Sequence, residues 1–187
     1  MYAAIVLAGG EGSRMGGVLK PLLHVKGEPI LGRVIAAVSD AEQIIVVGPE
    51  ELREFLPQGA ELTRESPPGG GPVAGLAAGW ARCTRADEIA VVAADLPFLT
   101  AAALATLRQL PAGAAVYVDD EGRWQSMVSL WRASVLSRAL LPVPPKSMKD
   151  LLRASGDVCE VRWTGDGPPP WFDCDTPEDL ALAERLL

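Results

Sequence analysis

The segment "VLAGGEGSRMGGVLKPLL" runs from Val6 to Leu23 and joins the end of an apolar run to a loop with five glycines, one arginine and one lysine. The apolar run, "AAIVL", is typical of a strand that is buried on both faces of a parallel sheet. A glycine-rich turn after such a strand lets backbone N–H groups approach a ligand closely. The segment therefore predicts a loop that binds phosphate oxygens or the edge of a base.

Two further apolar runs, "QIIVVG" and "EIAVVAA", predict two more buried strands. The segments "PILGRVIAAVSD", "GPVAGLAAGWARC" and "TAAALATLRQL" predict crossover helices, with Pro29, Pro72 and Thr100 as start signals. Alternating strands and helices predict a Rossmann-like, doubly wound α/β fold with a mainly parallel sheet. After Pro111, "AAVYVDDEGRWQSMVSLWR" predicts two strands joined by a turn at residues 120–122, as a hairpin-like insertion in the C-terminal half.

Composition limits the classes of function. The length of 187 residues predicts one domain over residues 1–187. No apolar run approaches the roughly 20 residues of a membrane-spanning helix, and no secretory leader is evident after Met1, so we expect a cytoplasmic protein without membrane contact. The net charge of -7 argues against a nucleic-acid surface. The three cysteines are widely spaced and lack CxxC pairing, which fits reduced thiols better than a disulfide framework or a zinc site. His24 is the only histidine, which excludes a Ser/His/Asp or Cys/His triad centred elsewhere.

The opening loop differs from two common nucleotide-binding motifs. A Walker-type loop requires GxxxxGK[ST], whereas Lys20 follows "GGVL" and precedes Pro21. The dinucleotide fingerprint also fails, because Met15 stands where its third glycine belongs. A P-loop NTPase and a Rossmann dehydrogenase are therefore disfavoured.

Four motifs together carry a resemblance to a known family. The order and spacing of "LAGGEGSRMGG", Lys20 with Pro21, "ADLPFL" and "DCDTPEDL" resemble nucleotidyltransferases with an LAGGxSxRM...K signature. Within that superfamily, "GPVAGLAAGW" and "GRWQSMVSLWR" look most like the molybdenum cofactor guanylyltransferases. The resemblance covers essentially the whole chain.

The resemblance implies transfer of GMP from GTP to the terminal phosphate of molybdenum-bound molybdopterin, with Mg²⁺ as cofactor and pyrophosphate as product. It also implies transient contacts with other proteins of molybdenum cofactor biosynthesis. Arg14 and Lys20 would meet the triphosphate, because in-line phosphoryl transfer depends mainly on positioning and on neutralising oxygens. The resemblance also implies that backbone groups of Leu7, Ala8 and Gly9 hold guanine and ribose, and that Gly10 binds the nucleotide.

Carboxylates suitable for Mg²⁺ occur in two segments. Asp95 lies just beyond the carboxyl end of a predicted central strand, where ligands bind in open α/β sheets. Mg²⁺ takes one or two protein carboxylates together with substrate phosphates. Asp173 and Asp175 alternate with Cys174 on an extended segment and are expected to converge on the cation held by Asp95. The following "TPED" is a helix start with a Thr176 cap.

Departures from the family pattern leave alternatives open. Guanylyltransferases usually have asparagine where this chain has Asp173 and Asp175, whereas related cytidylyltransferases often carry "DxDTPEDL". CMP transfer to the same pterin and a non-catalytic nucleotide-binding module are the two alternatives. Glu65 stands where an aspartate is usual, and we expect it near the base.

Other residues have less specific signals. Gly75 and Gly79 are expected to pack a helix closely on the sheet, whereas three consecutive glycines at 69–71 favour a turn that moves or approaches a ligand. The segment "KSMKDLLRASG" is equally consistent with an acceptor site and with a solvated amphipathic helix. Candidates for binding the acceptor are Arg123, Gln125, Lys146, Lys149 and Arg153.

Overall fold

The computed structural model describes residues 1–9, 14–141, 143 and 145–187, with only the backbone described at Arg14. Among these residues, the strands of the central sheet are β1 (Tyr2–Leu7), β2 (Gln43–Val47), β3 (Glu61–Thr63), β4 (Glu88–Ala93), β5 (Ala114–Val118), β6 (Trp124–Arg132) and β7 (Val158–Arg162). These seven strands lie in the order β7-β5-β6-β4-β1-β2-β3. All neighbouring pairs are parallel except the two that β6 makes with β4 and β5. This topology confirms the predicted mainly parallel, doubly wound α/β fold.

Helices connect and cover the strands. The α-helices in the described ranges are α1 (Ile30–Ala37), α2 (Gly71–Trp80), α3 (Ala101–Arg108), α4 (Ala133–Ala139), α5 (Met148–Ser155) and α6 (Pro177–Leu186). None of the helices described is long and apolar enough to cross a membrane. Short elements are the paired strands Arg14–Met15 and Val18–Leu19, the paired strands His24–Val25 and Glu28–Pro29, and the 3-10 helices Lys20–Leu22 and Glu50–Phe55.

Two of the predicted helix starts, Thr100 and Thr176, coincide with observed side-chain caps. Thr100 Oγ1 accepts a hydrogen bond from the Ala103 N–H at 3.2 Å, directly before α3. At α6, the Thr176 side chain accepts from the Asp179 N–H, and the Asp179 carboxylate accepts from the Thr176 N–H at 2.9 Å. This reciprocal capping box fixes where α6 begins. The cap residue Thr176 directly follows the "DCD" segment, which therefore leads into the start of α6.

The predicted hairpin is present, and both of its strands belong to the central sheet. The Asp119 N–H donates to the Arg123 carbonyl at 3.1 Å to close the turn. β6 then lies between β5 and β4, antiparallel to each. The register of β6 on β5 shifts between Trp124 and Ser129. Such a bulge redirects side chains, which matters here because this stretch reaches the cavity described below.

Both faces of the sheet are buried. In β1, Tyr2, Ala4 and Val6 pack into the cluster formed with α1, α3 and α6, whereas Ile5 and Leu7 pack into the cluster formed with α2, α4 and α5. Two apolar faces explain why the run "AAIVL" is continuous rather than alternating.

Gly79 allows α2 to approach the sheet. A Cβ atom on Gly79 would lie 2.7 Å from Ile5 Cγ2 and 3.0 Å from Val47 Cγ2, both on stiff β-branched side chains. We expect Gly79→Ala to lower the free energy of unfolding in urea by roughly 1–3 kcal/mol through overpacking. The matched control is Gly75→Ala, whose Cβ would lie 3.5 Å from Leu7 Cδ2, an ordinary contact. Because alanine is the better helix former, the control should be at least as stable as wild type. Equal stabilities for the two variants would contradict this packing role.

Candidate active site

A cavity of about 450 Å³ opens at the carboxyl edge of the sheet, beside the ends of β1 and β4. Ligands bind at this edge in open α/β sheets. Its walls include residues 7–9 of the opening loop, residues 93–96 after β4 and residues 123–127 of the hairpin. Charged residues from other segments that line it are Lys20, Asp119, Lys149, Asp173 and Asp175.

Most of the predicted site residues therefore meet in one cavity. Arg123 and Gln125 line it as well, but Lys146 does not. Lys146 precedes Ser147, the cap residue of α5, whereas Lys149 lies in the first turn of that helix and reaches the cavity. Acceptor binding by Lys146 is thus not supported by its position. Arg153 also lies outside the cavity lining, with its Nη1 2.6 Å from the Asp150 carboxylate.

Two predicted residues cannot be placed. Gly10 lies outside the described residues, and so does the side chain of Arg14. The Arg14 backbone pairs with Leu19 in the small ribbon that precedes Lys20. Nucleotide binding by Gly10 and triphosphate contacts by Arg14 stay predictions.

Backbone groups of the opening loop are partly engaged within the sheet. The Ala8 N–H donates to the Val47 carbonyl at 2.7 Å, and the Leu7 carbonyl accepts from the Ala94 N–H at 3.0 Å. These bonds continue the parallel ladder past the ends of the strands. A base in the cavity can therefore contact Gly9 and only those backbone atoms of Leu7 and Ala8 that these two bonds leave unused.

Lys20 supplies a fixed positive charge in the cavity. It begins the 3-10 helix Lys20–Leu22, and its Nζ lies 2.5 Å from Asp175 Oδ1. Burial on its own lowers the pKa of Lys20, but the hydrogen bond to Asp175 and the charges of Asp175, Asp95 and Asp173 raise it overall. The ammonium therefore stays protonated at neutral pH.

Asp95 and Asp173 carry charge that this lysine does not fully offset. Burial first, and then the charge of Asp173, raises the pKa of Asp95 to about 6. Partial burial first, and then the charge of Asp175, raises the pKa of Asp173. Crowded carboxylates with raised pKa values are typical of sites that receive a cation.

The segment that carries Asp173 and Asp175 is anchored to the loop after β4. The Cys174 N–H donates to the Asp95 carbonyl at 3.3 Å, and the Cys174 side chain is completely buried. Both aspartates line the cavity. Burial and the nearby aspartates raise the pKa of the Cys174 thiol to about 12, so this cysteine packs the segment and is no nucleophile.

The expected cage of three carboxylates does not form. In the part of the chain that the structure describes, no group of three or more His, Cys, Asp or Glu side chains is placed to hold a metal ion. The convergence expected for Asp95, Asp173 and Asp175 is therefore corrected. Asp175 is bound to Lys20, and this contact occupies a carboxylate oxygen that a shared metal would need.

Glu65 is a buried carboxylate behind the opening loop. It is 8% exposed, and its Oε1 accepts from the Gly69 N–H at 3.0 Å. A Cβ atom on Gly9 would lie 3.8 Å from Glu65 Oε2. Glu65 lines a small recess that shares Leu7, Gly9 and Met127 with the main cavity. It thereby connects the Gly69 turn to the opening loop.

Sequence reasoning missed the hairpin residue Asp119. Its Oδ1 accepts from the N–H groups of Glu121 at 3.0 Å and Arg123 at 2.8 Å. Aspartates at the start of turns commonly make such bonds, so "VDDEG" contained a usable signal. The indoles of Trp124 and Trp171, which also line the cavity, had no distinguishing signal in the sequence.

A comparison with known protein families shows the family of this chain. A family model for the MobA-like NTP transferase domain matches residues 4–158. The chain belongs to the MobA-like NTP transferase family. A molybdenum cofactor guanylyltransferase from Rhodobacter capsulatus is 33% identical over 99% of this chain and 96% of that protein. The MobA-like chain is thus a nucleotidyltransferase, which confirms the family inferred from the motifs.

Solved structures place the MobA-like chain in the same fold. A nucleotidyl transferase from Methanothermobacter has a TM-score of 0.79 and 22% identity, covering 100% of this chain and 97% of that one. Molybdopterin-guanine dinucleotide biosynthesis protein A from Archaeoglobus fulgidus has a TM-score of 0.71 and 22% identity, covering 99% and 97%. At these identities the likeness establishes the fold.

Proposed function

We propose that this protein transfers GMP from GTP to the terminal phosphate of molybdenum-bound molybdopterin and releases pyrophosphate. The observation that carries the proposal is the one cavity in which the opening loop, Lys20, Asp95 and Asp173 meet the hairpin and Lys149. The relative that is 33% identical over nearly the full length of both chains is named for guanylyl transfer to this cofactor. Residues 1–187 act as a single cytoplasmic nucleotidyltransferase domain.

The chemistry requires no covalent enzyme intermediate. An acceptor phosphate oxygen attacks the α-phosphorus of GTP and forms a new P–O bond. At the same time the bond from the α-phosphorus to the oxygen that bridges the α- and β-phosphates breaks, and its electron pair leaves with pyrophosphate. Lys20 offsets negative charge on the α-phosphate oxygens, and its contact with Asp175 holds the ammonium inside the cavity. Arg14 and the amides of the opening loop bind the pyrophosphate.

Asp95 and Asp173 are suited to hold Mg²⁺. Both offer hard oxygen donors at the cavity wall, and their mutual repulsion favours a cation beside them. Two carboxylates suffice, because Mg²⁺ completes its shell with water and substrate phosphates. When bound, the ion supplies positive charge to the phosphate oxygens.

The acceptor occupies the hairpin side of the cavity. Arg123 and Lys149 are the cations there that receive its terminal phosphate. GTP and molybdopterin are the small-molecule partners, together with transient contacts to other proteins of molybdenum cofactor biosynthesis. Nucleic acid and membranes are not partners in this proposal.

Two measurements test the proposal. In a thermal shift with Mg²⁺ and each of the four nucleoside triphosphates, GTP should raise the melting temperature most, because a ligand of the folded state stabilises it. GTP with molybdopterin should then release pyrophosphate. A preference for CTP with CMP transfer would instead support the cytidylyl alternative, which the aspartates of "DCDTPEDL" favour. GTP binding without molybdopterin-dependent release would contradict the proposed acceptor.

Glu65→Gln is expected to reduce discrimination between GTP and ITP. Guanine offers N1–H and a 2-amino group to one carboxylate, and inosine lacks the amino group. Leaving an acceptor unpaired costs on the order of 1–3 kcal/mol, so wild type should prefer GTP by about tenfold or more. Calorimetric titration of both nucleotides measures the ratio. Glu54→Gln, at an exposed position of the 3-10 helix Glu50–Phe55, is the control. An identical ratio in wild type and Glu65→Gln would remove Glu65 from base recognition.

A further inference from the structure

The orientation of the Gln125 amide is fixed by its neighbours. Gln125 Nε2 donates to Asp119 Oδ2 at 3.0 Å and to the Arg123 carbonyl at 3.3 Å. Both partners can only accept, so the nitrogen of the amide must face them and both of its hydrogens are used. The polar atom that Gln125 has left for a ligand in the cavity is its Oε1, an acceptor.

Asp119 reinforces this polarity. Its Oδ1 is held by the backbone N–H groups of Glu121 and Arg123, and its Oδ2 by Gln125. The carboxylate therefore cannot rotate away without breaking three hydrogen bonds. Asp119 and the Gln125 Oε1 atom together form a patch of hydrogen-bond acceptors on a wall of the cavity, beside Arg123, whose Nε lies 4.0 Å from Asp119 Oδ2. The acceptor atoms themselves repel a phosphate and favour a ligand with N–H donors, whereas a phosphate can bind the neighbouring Arg123 guanidinium.

Two indoles in the same cavity suit a planar ring. Trp124 and Trp171 both line the cavity. Trp124 Nε1 donates to Glu160 at 2.5 Å, and Trp171 packs on Tyr117 with 5.5 Å between ring centroids. Each indole is therefore held in place by a contact within the protein. Flat heterocycles gain affinity by stacking on such side chains. The cavity thus combines an apolar aromatic surface with hydrogen-bond acceptors.

We propose that Gln125, positioned by Asp119, reads the N–H edge of the pterin ring of the acceptor. The inference rests on the proposed function, which supplies a pterin as the second substrate. A pterin carries an amino group at C2 beside N3–H, and these donors match the acceptor patch. Guanine carries the same edge, but the recess at Glu65 and Gly9 lies at the nucleotide loop. Gln125 is therefore a specificity residue, and Asp119 acts through it as a positioning residue.

Binding of free pterin and of lumazine tests the inference directly. Lumazine replaces the 2-amino group by oxygen, which would place an acceptor against Gln125 Oε1. With saturating GTP and Mg²⁺ present, wild type should bind pterin about tenfold more tightly than lumazine in NMR saturation-transfer titrations. Gln125→Ala should bring the ratio of the two affinities close to one, because it weakens the binding of pterin. Gln109→Ala, at the exposed end of α3, should leave the ratio unchanged.

Asp119→Asn tests the positioning role. An amide at this site can turn N–H groups toward Gln125 Nε2, so the glutamine loses its fixed orientation. The KM for molybdopterin should rise, whereas kcat and the KM for GTP should change little. The double variant Asp119→Asn/Gln125→Ala should lose no more pterin preference than Gln125→Ala, because both act through one side chain. Additive losses would contradict the positioning role.

Other outcomes separate this inference from the proposed function. An unchanged pterin to lumazine ratio in Gln125→Ala, or no binding of either ring by wild type, would overturn the inference. Displacement of pterin by GTP would assign the patch to guanine and also overturn it. Intact pterin preference without GMP transfer would refute the proposed function alone.

Discussion

Asp95→Asn is expected to stabilise the metal-free protein at neutral pH and to remove most of its activity. The folded-state pKa of Asp95 is about 6 against an ordinary value of 3.8, because the carboxyl is partly buried and lies near Asp173. Its contribution to stability is therefore full below about pH 3.8 and is lost as the pH rises through about 6. Asparagine cannot ionise and avoids this loss. We expect a gain of about 1–3 kcal/mol at pH 7.5 and almost none at pH 4.

Urea unfolding with a chelator at the two pH values measures this difference. Asp166→Asn, in the exposed loop after β7, is the matched control and should change stability at neither pH. Equal stabilities of wild type and Asp95→Asn at pH 7.5 would contradict the crowding of carboxylates. The activity arm is independent, since near-normal turnover with Mg²⁺ in Asp95→Asn would remove Asp95 from the metal site.

Several features of the fold follow from local sequence alone. The continuous apolar runs of β1 and β4 are typical of strands covered on both faces, and this pattern is enough to predict Asp95 at the ligand-binding edge of the sheet. The "TPED" motif predicted the Thr176 cap, which the structure shows as a capping box with Asp179, because all of its bonds lie within four residues. Local hydrogen bonding is what sequence patterns encode well.

Other features depend on contacts between distant segments. The hairpin motif predicted two strands but not that β6 would pair with β4, because a period of two specifies no partner. The contact of Lys20 with Asp175 joins residues separated by 155 positions. Because it engages Asp175, the metal site expected from three aspartates is reduced to Asp95 and Asp173. Whether Lys146 or Lys149 reaches the cavity depends on where α5 begins, because a start one turn earlier or later would point different side chains at the cavity. Side-chain convergence of this kind requires the tertiary structure.

Lys20→Met should lower turnover by about 10²-fold or more, the scale seen when one preorganised group that stabilises developing charge is removed. Methionine retains the length of the side chain but no charge. GTP affinity should fall less than turnover, because the lysine acts mainly on charge that develops during transfer. Steady-state kinetics with molybdopterin separates the two effects. A raised KM with unchanged kcat would make Lys20 a residue of uniform substrate binding instead.

The pH profile provides a second test of the same lysine. The charge of Lys20 lowers the pKa of Asp95, opposing the burial and the Asp173 charge that raise it. Without the ammonium, Asp95 should take up its proton at a higher pH, so the acidic limb of the remaining activity should move upward. Lys26→Met is the matched control, since Lys26 is exposed and lies outside the cavity lining. If the acidic limb of Lys20→Met stays at the wild-type pH, Lys20 and Asp95 do not interact during catalysis. If the acidic limb of Lys26→Met shifts as well, the overall charge of the protein, rather than the cavity, controls the titration.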